Sequence, residues 1–204
     1  MNNILLWADI SQLPDIMQNP EATANIPPEQ INRILKYQLP MNRKQCLCAR
    51  LMEKFIADTY GFSLAEITMG PNGKPYAAYI NYNISHSGNI VICAVSDDSV
   101  GCDVELVRNV KRDVADKYFT ENEKKLDFFK VWTAKESYLK MTGEGICPDL
   151  KNIEVVFEEN KSFIKRNGII EDCFLSEYNI PGYSEYIISV CSKSETFNLQ
   201  EFSY

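Results

Sequence analysis

Residues 100–106, Val-Gly-Cys-Asp-Val-Glu-Leu, alternate without a break between apolar and small or charged side chains. A period of two places Val100, Cys102, Val104 and Leu106 on one face of a strand, and Gly101, Asp103 and Glu105 on the other. One face of such a strand must be covered, so the chain needs a second layer packed against it. The reading is a half-buried strand with two carboxylates on its exposed face.

The flanking segments supply the layers. Residues 4–8 (Ile-Leu-Leu-Trp-Ala) read as a strand, and Pro27-Pro28-Glu29 opens a helix that Pro40 ends. A second helix runs from about Met41 to Tyr60, stopped by Gly61, with Cys48, Leu51, Met52, Phe55 and Ile56 on one arc and Arg43, Arg50 and Lys54 on another. Pro71-Asn-Gly-Lys-Pro75 is a turn, followed by apolar stretches at Tyr76–Ile80 and Ile90–Val95 and a polar turn at 96–99. Thr120-Glu-Asn-Glu123 reads as a capping box introducing a helix of about 20 residues closed by Gly143. Strand-like runs follow at Ile153–Phe157, Cys173–Tyr178 and Tyr186–Cys191. Both halves run helix, then antiparallel strands, which is an α+β order.

Composition excludes several classes. A length of 204 residues suits one large domain or two of about 100 residues. A net charge of −7 argues against a nucleic-acid binder, for which a basic domain is expected. No apolar run approaches the roughly 20 residues of a membrane span, and the first residues lack a basic, long-cored signal, so the expectation is a cytoplasmic protein. Seven cysteines without a CxxC pair, beside one histidine, read as free thiols rather than a zinc site.

Three segments carry chemistry. Asp103 and Glu105 share a strand face, and adjacent carboxylates repel unless a cation lies between them. A Mg²⁺ ion is one answer; an ordinary acidic strand surface is the other. In Trp132-Thr-Ala-Lys-Glu-Ser-Tyr-Leu-Lys140, Glu136 and Lys140 are four apart on one helix face, while Lys135 points about 100° away. Asn83-Ile-Ser-His-Ser-Gly88 reads as an anion-binding turn, with Lys74 adding a point charge. There is no G-x-S-x-G, so a hydrolase triad is discarded.

In chain order, Gly73-Lys74-Pro75, Asn83-Ile-Ser-His-Ser-Gly88, Gly101-Cys-Asp-Val-Glu105 and Trp132-Thr-Ala-Lys-Glu-Ser137 with Lys140 resemble the 4′-phosphopantetheinyl transferase superfamily, in its surfactin-type, two-lobed branch. The resemblance implies two similar lobes in pseudo-twofold arrangement, 1–98 and 99–204, each an antiparallel sheet packed on a long helix, with the site between them. It implies transfer of the phosphopantetheine arm of coenzyme A to a serine of an acyl or peptidyl carrier protein, with release of 3′,5′-adenosine diphosphate. Asp103, Glu105 and Glu136 would bind Mg²⁺; Lys74, Ser85, His86 and Lys140 would contact coenzyme A; and Glu136 would be the base, with Lys135 or Glu123 as alternatives. The family's basic residues near the 3′-phosphate point to Arg33 or Arg43 in a stretch that also holds Gln30, Gln45 and Lys44. Cys102 stands where an aliphatic residue is more usual. The two-lobed form implies a monomer. Carriers of this kind are acidic, so docking is expected around Arg108, Lys111, Arg112 and Lys117. A Mg²⁺-dependent phosphodiesterase and a catalytically silent coenzyme A-binding protein are the competing readings.

Overall fold

The computed structural model describes residues 3–23, 26–78, 80–109, 113–145, 148–159 and 161–204. In chain order the elements are β1 (Ile4–Asp9), α1 (Pro28–Leu35), α2 (Pro40–Tyr60), β2 (Thr68–Met69), β3 (Pro75–Tyr76), β4 (Asn81–Ser87), β5 (Ile90–Ser96), β6 (Val100–Leu106), α3 (Asp113–Tyr118), α4 (Phe128–Thr142), β7 (Ile153–Phe157), β8 (Ser162–Arg166), β9 (Ile169–Ile170), β10 (Phe174–Tyr178), β11 (Tyr186–Ser192) and β12 (Asn198–Glu201). The fold is α+β.

Two main sheets stack between two helices. One has the order β12-β1-β5-β4, the other β6-β11-β10-β8-β7 with β9 on β8. Alternation in the central strands explains the layering. In β1, Leu6 and Ala8 join the core that includes Leu47, Cys48, Met52 and Ile56 of α2. Leu5 and Trp7 face the other way, into a core shared with Val100, Cys102, Val104, Ile188 and Val190. The run Ile90–Val95 is apolar throughout because β5 is covered on both faces. A third core joins Val131, Ala134, Tyr138 and Leu139 of α4 to Ile153, Ile164, Leu175 and Cys191. The final strand crosses the division expected at residue 98: β12 pairs in parallel with β1, Ile4 opposite Asn198.

Local structure departs from the sequence reading at four places. Pro40 opens α2 rather than closing the helix before it, and α1 ends at Leu35; a proline suits the first turn, where its missing N–H costs no bond. Among the described residues of Tyr76–Ile80 only Tyr76 is in a strand, Tyr79 lying outside them, and the long strand β4 instead takes in Asn83–Ser87. The Thr120–Glu123 capping box is formed, with Thr120 N donating to Glu123 Oε2 at 2.8 Å and Glu123 N to Thr120 Oγ1 at 3.3 Å. It caps one tight turn, however, and the 15-residue α4 begins later under its own cap, Asp127, which accepts from Lys130 N. Finally, the carboxylate face of β6 is not exposed. Asp103 is 5% exposed, because α4 lies across that face.

Candidate active site

Two local features bring β4, β6 and α4 together. The first is Gly101. A Cβ placed there would lie 2.1 Å from the carbonyl oxygen of Ser137 and 2.2 Å from Met141 N, so only glycine lets α4 approach β6 this closely. The second is the alternation of β4. Asn83, Ser85 and Ser87 project toward β6, where Cys102 N donates to Asn83 Oδ1 (2.9 Å), Ser85 Oγ to Asp103 Oδ1 (2.8 Å) and Ser87 Oγ to Glu105 Oε2 (2.8 Å). Side chains thus join the facing edges of the two sheets. The segment expected as an anion-binding turn is a strand that turns only at Gly88, where φ is +53°.

The acidic group follows from this packing. Lys140, in the last turn of α4, donates to Asp103 Oδ1 at 2.5 Å and to Ser85 Oγ at 2.9 Å. Burial, the largest single influence, works against its ammonium, but the charge and hydrogen bond of Asp103 together with the Glu136 charge raise its pKa overall. Glu136 lies one turn earlier on the same face. Burial raises its pKa, Lys140 opposes the rise, and the charges of Asp103 and Glu105 add to it. Burial likewise raises Glu105, partly offset by the Ser87 hydroxyl. Two oxygens, Asp103 Oδ2 and Glu136 Oε1, are buried without a hydrogen-bond partner. Buried polar atoms normally find partners, and orphaned carboxylate oxygens beside a third carboxylate fit a hard divalent cation. Among the described residues, no three histidine, cysteine or acidic side chains already stand at metal-ligating separation.

Of this group Glu136 and Lys140 line a cavity of about 460 Å³, together with Arg33, Tyr37, Gln45, Arg50 and Glu53, while Asp103 and Glu105 lie behind them. Arg50 pairs with buried Glu53 at 2.6 Å, and Tyr82 Oη donates to Glu53 Oε1 at 3.2 Å. His86 lines the cavity with an exposed edge; desolvation and then the Lys140 charge lower its pKa. Lys74 also lines it, but its ammonium donates to Met141 O (2.6 Å) and Val100 O (3.1 Å), and burial lowers its pKa to about 8. With Asn72 Nδ2 donating to Gly143 O and Glu144 O, the Pro71–Pro75 turn latches onto the end of α4.

Several expected site residues sit elsewhere or face differently. Ser85 holds Asp103 and Lys140 rather than lining the cavity. Arg43 is not on the cavity wall: its guanidinium grips both oxygens of Asp15 and donates to Tyr37 O and Gln38 O, each at 2.8 Å. Lys135 is fully buried, 2.8 Å from Glu123, and donates to Tyr118 O and Leu150 O. Its 100° offset from Glu136 carries it into the core behind the site. Arg50 and Glu53 are the wall residues that sequence reasoning did not single out as ligand-facing. The signal for Arg50 was the basic stripe of α2, which alone could not be told from a solvated face; Glu53 had none.

A cavity that brings Glu136 and Lys140 of α4 together with Lys74, His86, Arg33 and Arg50 suits a phosphate-bearing substrate. Comparison with known proteins agrees. A model of the 4′-phosphopantetheinyl transferase superfamily matches residues 99–191, and one described as 4′-phosphopantetheinyl transferase, N-terminal, matches residues 14–98. A 4′-phosphopantetheinyl transferase of Bacillus subtilis is 29% identical over 164 residues, 72% of each chain. The transferase gsp of Aneurinibacillus migulanus is 26% identical over 185 residues, 83% of this chain and 77% of its own. Sfp of Bacillus subtilis (strain 168) is 25% identical over 200 residues, 83% and 88% respectively. The chain belongs to the 4′-phosphopantetheinyl transferase superfamily, in its surfactin-type branch, and is an enzyme that transfers the phosphopantetheine group.

Proposed function

We propose that the chain moves the 4′-phosphopantetheine arm from coenzyme A to a serine hydroxyl of an acyl or peptidyl carrier protein, with Mg²⁺, releasing 3′,5′-adenosine diphosphate. The observation that carries this reading is the orphaned oxygen of Glu136 beside Lys140 on the cavity lining, with Lys140 paired to Asp103, whose second oxygen is also orphaned, just behind it. Asp103, Glu105 and Glu136 would hold the ion. When bound, it supplies positive charge that neutralises the diphosphate and polarises its oxygens.

The protein's own groups account for the rest. The serine Oγ forms a bond to the β-phosphorus as the bond from that phosphorus to the bridging oxygen breaks, and the bridging oxygen leaves on 3′,5′-adenosine diphosphate. Glu136 takes the serine proton, a role that suits a carboxylate whose pKa burial raises above its ordinary value. Lys140 releases Asp103 and pairs with the developing negative charge of the transferred phosphate. Arg33, on the opposite wall, faces the nucleotide end, and His86 contacts a phosphate oxygen. Ser85 positions Asp103 and Lys140. The two lobes, 1–98 and 99–204 with the last strand shared, enclose the substrate, and the enzyme acts as a cytoplasmic monomer.

The test is incubation with coenzyme A, Mg²⁺ and a panel of apo carrier proteins, followed by mass spectrometry. Covalent attachment adds about 340 Da to one serine, by the phosphoryl transfer described. Cleavage of coenzyme A with no carrier modified would point instead to a phosphodiesterase; no turnover with any carrier would favour a silent binding protein.

A further inference from the structure

Of the basic residues expected to dock the acceptor, Lys111 and Arg112 lie outside the described residues. A described cluster that the proposed transfer leaves unused is a pair of thiols, where β10 begins and β11 ends. The register sets Phe174 opposite Ser192 and Leu175 opposite Cys191. Side chains two apart in a strand share a face, so Cys173 points the same way as Leu175 and Cys191. All three pack in the core that α4 covers. The two thiols are therefore diagonal neighbours on one sheet face, and a hydrogen bond joins them.

Their surroundings divide the roles. Cys191 is fully buried; its hydrogen bond to Cys173, together with burial, holds its pKa well above the ordinary thiol value. Cys173 is half-buried. The hydrogen bond from Cys191 lowers its pKa against the effect of burial; Lys193 acts in the same direction, and Glu171 and Asp172 oppose it. Lys193 is held in place by the carbonyl of Asp172 and, at 2.8 Å, by its Oδ2. A partly exposed thiol with a donor and a lysine beside it is set up to react. Cys46, the other half-buried thiol among the described residues, differs: burial outweighs Arg50 and Arg33 and raises its pKa. Cys48, Cys93 and Cys102 are buried.

We infer that Cys173 and Cys191 form a reversible oxidation site, in which Cys173 attacks hydrogen peroxide and Cys191 resolves the product to a disulfide between β10 and β11. The Cys173 thiolate bonds to one peroxide oxygen as the O–O bond breaks, and hydroxide leaves to recover the proton that Cys173 gave to solvent. The Cys191 sulfur then bonds to the Cys173 sulfur as the S–O bond breaks, and the Cys191 proton departs with that oxygen as water. Two thiols are oxidised and one peroxide is reduced to two waters. Cys173 precedes β10, and its N–H bonds within its own turn to Glu171 O at 2.9 Å. The approach that the bond needs therefore falls on a turn rather than on the ladder. A disulfide at such a half-exposed turn is labile and returns to the dithiol with a small-thiol reductant. Cys191 also stands opposite Gly101 in β6, so the linked strand is the one beside the glycine that seats α4. This inference does not depend on the transfer reading.

The test exposes the full chain, without coenzyme A, to hydrogen peroxide and maps the quenched protein by non-reducing peptide mass spectrometry. The expected product is a peptide pair joined through Cys173 and Cys191, about 2 Da lighter than the two free peptides together and restored by dithiothreitol. It should form at least about tenfold faster than any modification of Cys46. Cys191→Ser should stop at a sulfenic acid on Cys173, captured by dimedone, and Cys173→Ser should leave Cys191 unmodified. A wild-type Cys173 that stays a free thiol would overturn the inference. So would a Cys173 carried to sulfinic acid with Cys191 unlinked, or one bridged to another cysteine. Mapping of the wild type decides the matter by itself if either serine variant fails to fold.

Discussion

Gly101 lies directly beneath the backbone of Ser137, so close that a methyl group on it would stand 2.1 Å from that residue's carbonyl oxygen. The strand that carries Asp103 and the helix that carries Glu136 and Lys140 meet through this contact. Gly101→Ala must push α4 away from β6. Overpacking against backbone costs about 3 kcal/mol or more, and the displaced helix separates Glu136 from Asp103. Urea unfolding should show the loss, and transferase activity should fall further than the change in stability accounts for. Wild-type stability in this variant would mean that the helix is not held where described.

Glu136→Gln should separate activity from stability. Loss of the proton acceptor costs about 10²–10⁴-fold in kcat. Stability should move in the opposite direction. The folded-state pKa of Glu136 is raised above its unfolded value, so its charged form is disfavoured by folding. That penalty is absent well below the ordinary carboxylate range and fully present above the raised pKa. The variant should therefore melt higher than wild type at neutral pH, with the gain disappearing near pH 4. Added Mg²⁺ should raise the wild-type melting temperature and raise the variant's less. A lower melting temperature for the variant at neutral pH would count against the described burial.

Lys140→Met leaves Asp103 buried without its cation. Removing one partner of such a pair costs about 1–3 kcal/mol at a site still partly open to solvent; the lysine side chain is 28% exposed. Calorimetry with and without Mg²⁺ checks this. The divalent ion should restore more stability to the variant than it adds to wild type, because it supplies the missing positive charge.

Lys74 gives a signature at alkaline pH. Its pKa is lowered by burial from 10.5 to about 8, so between those values the unfolded chain holds a proton that the folded chain has lost. Stability attributable to this group rises as pH climbs through that window, by at most about 3 kcal/mol. Comparing urea midpoints at pH 8 and pH 10 for wild type and Lys74→Met isolates it: the rise should be smaller in the variant. Equal pH dependence would show that the ammonium is not held on Met141 and Val100 as described.

Arg33 and Arg43 should behave differently although both are basic residues of the first helical region. Arg33→Ala should raise the KM for coenzyme A about tenfold, as loss of a charged contact to phosphate does. Arg43→Ala should leave that KM near wild type and cost about 3 kcal/mol or more of stability by stranding Asp15. Steady-state kinetics paired with thermal melts distinguishes the two.

Much of this protein was legible in its residue order. Alternation in 100–106 gave β6, and αL glycines closed α2 at Gly61 and α4 at Gly143. The resemblance pointed to Asp103, Glu105, Glu136 and Lys140; spacings of two in a strand and four in a helix said only that each pair shares a face. Periodicity is local, so it could say that Asp103 and Glu105 lie together but not what covers them. Only the packing of α4 on Gly101 turned an apparently exposed acidic face into a buried one. Likewise, the sequence left Arg33 and Arg43 as equivalent cations, and set Lys135 on a different face from Lys140 without saying what either meets. Tertiary structure sent Arg43 to Asp15, Lys135 to Glu123 and Lys140 to Asp103, since the partner that holds a charge comes from a distant segment whose position no local pattern encodes.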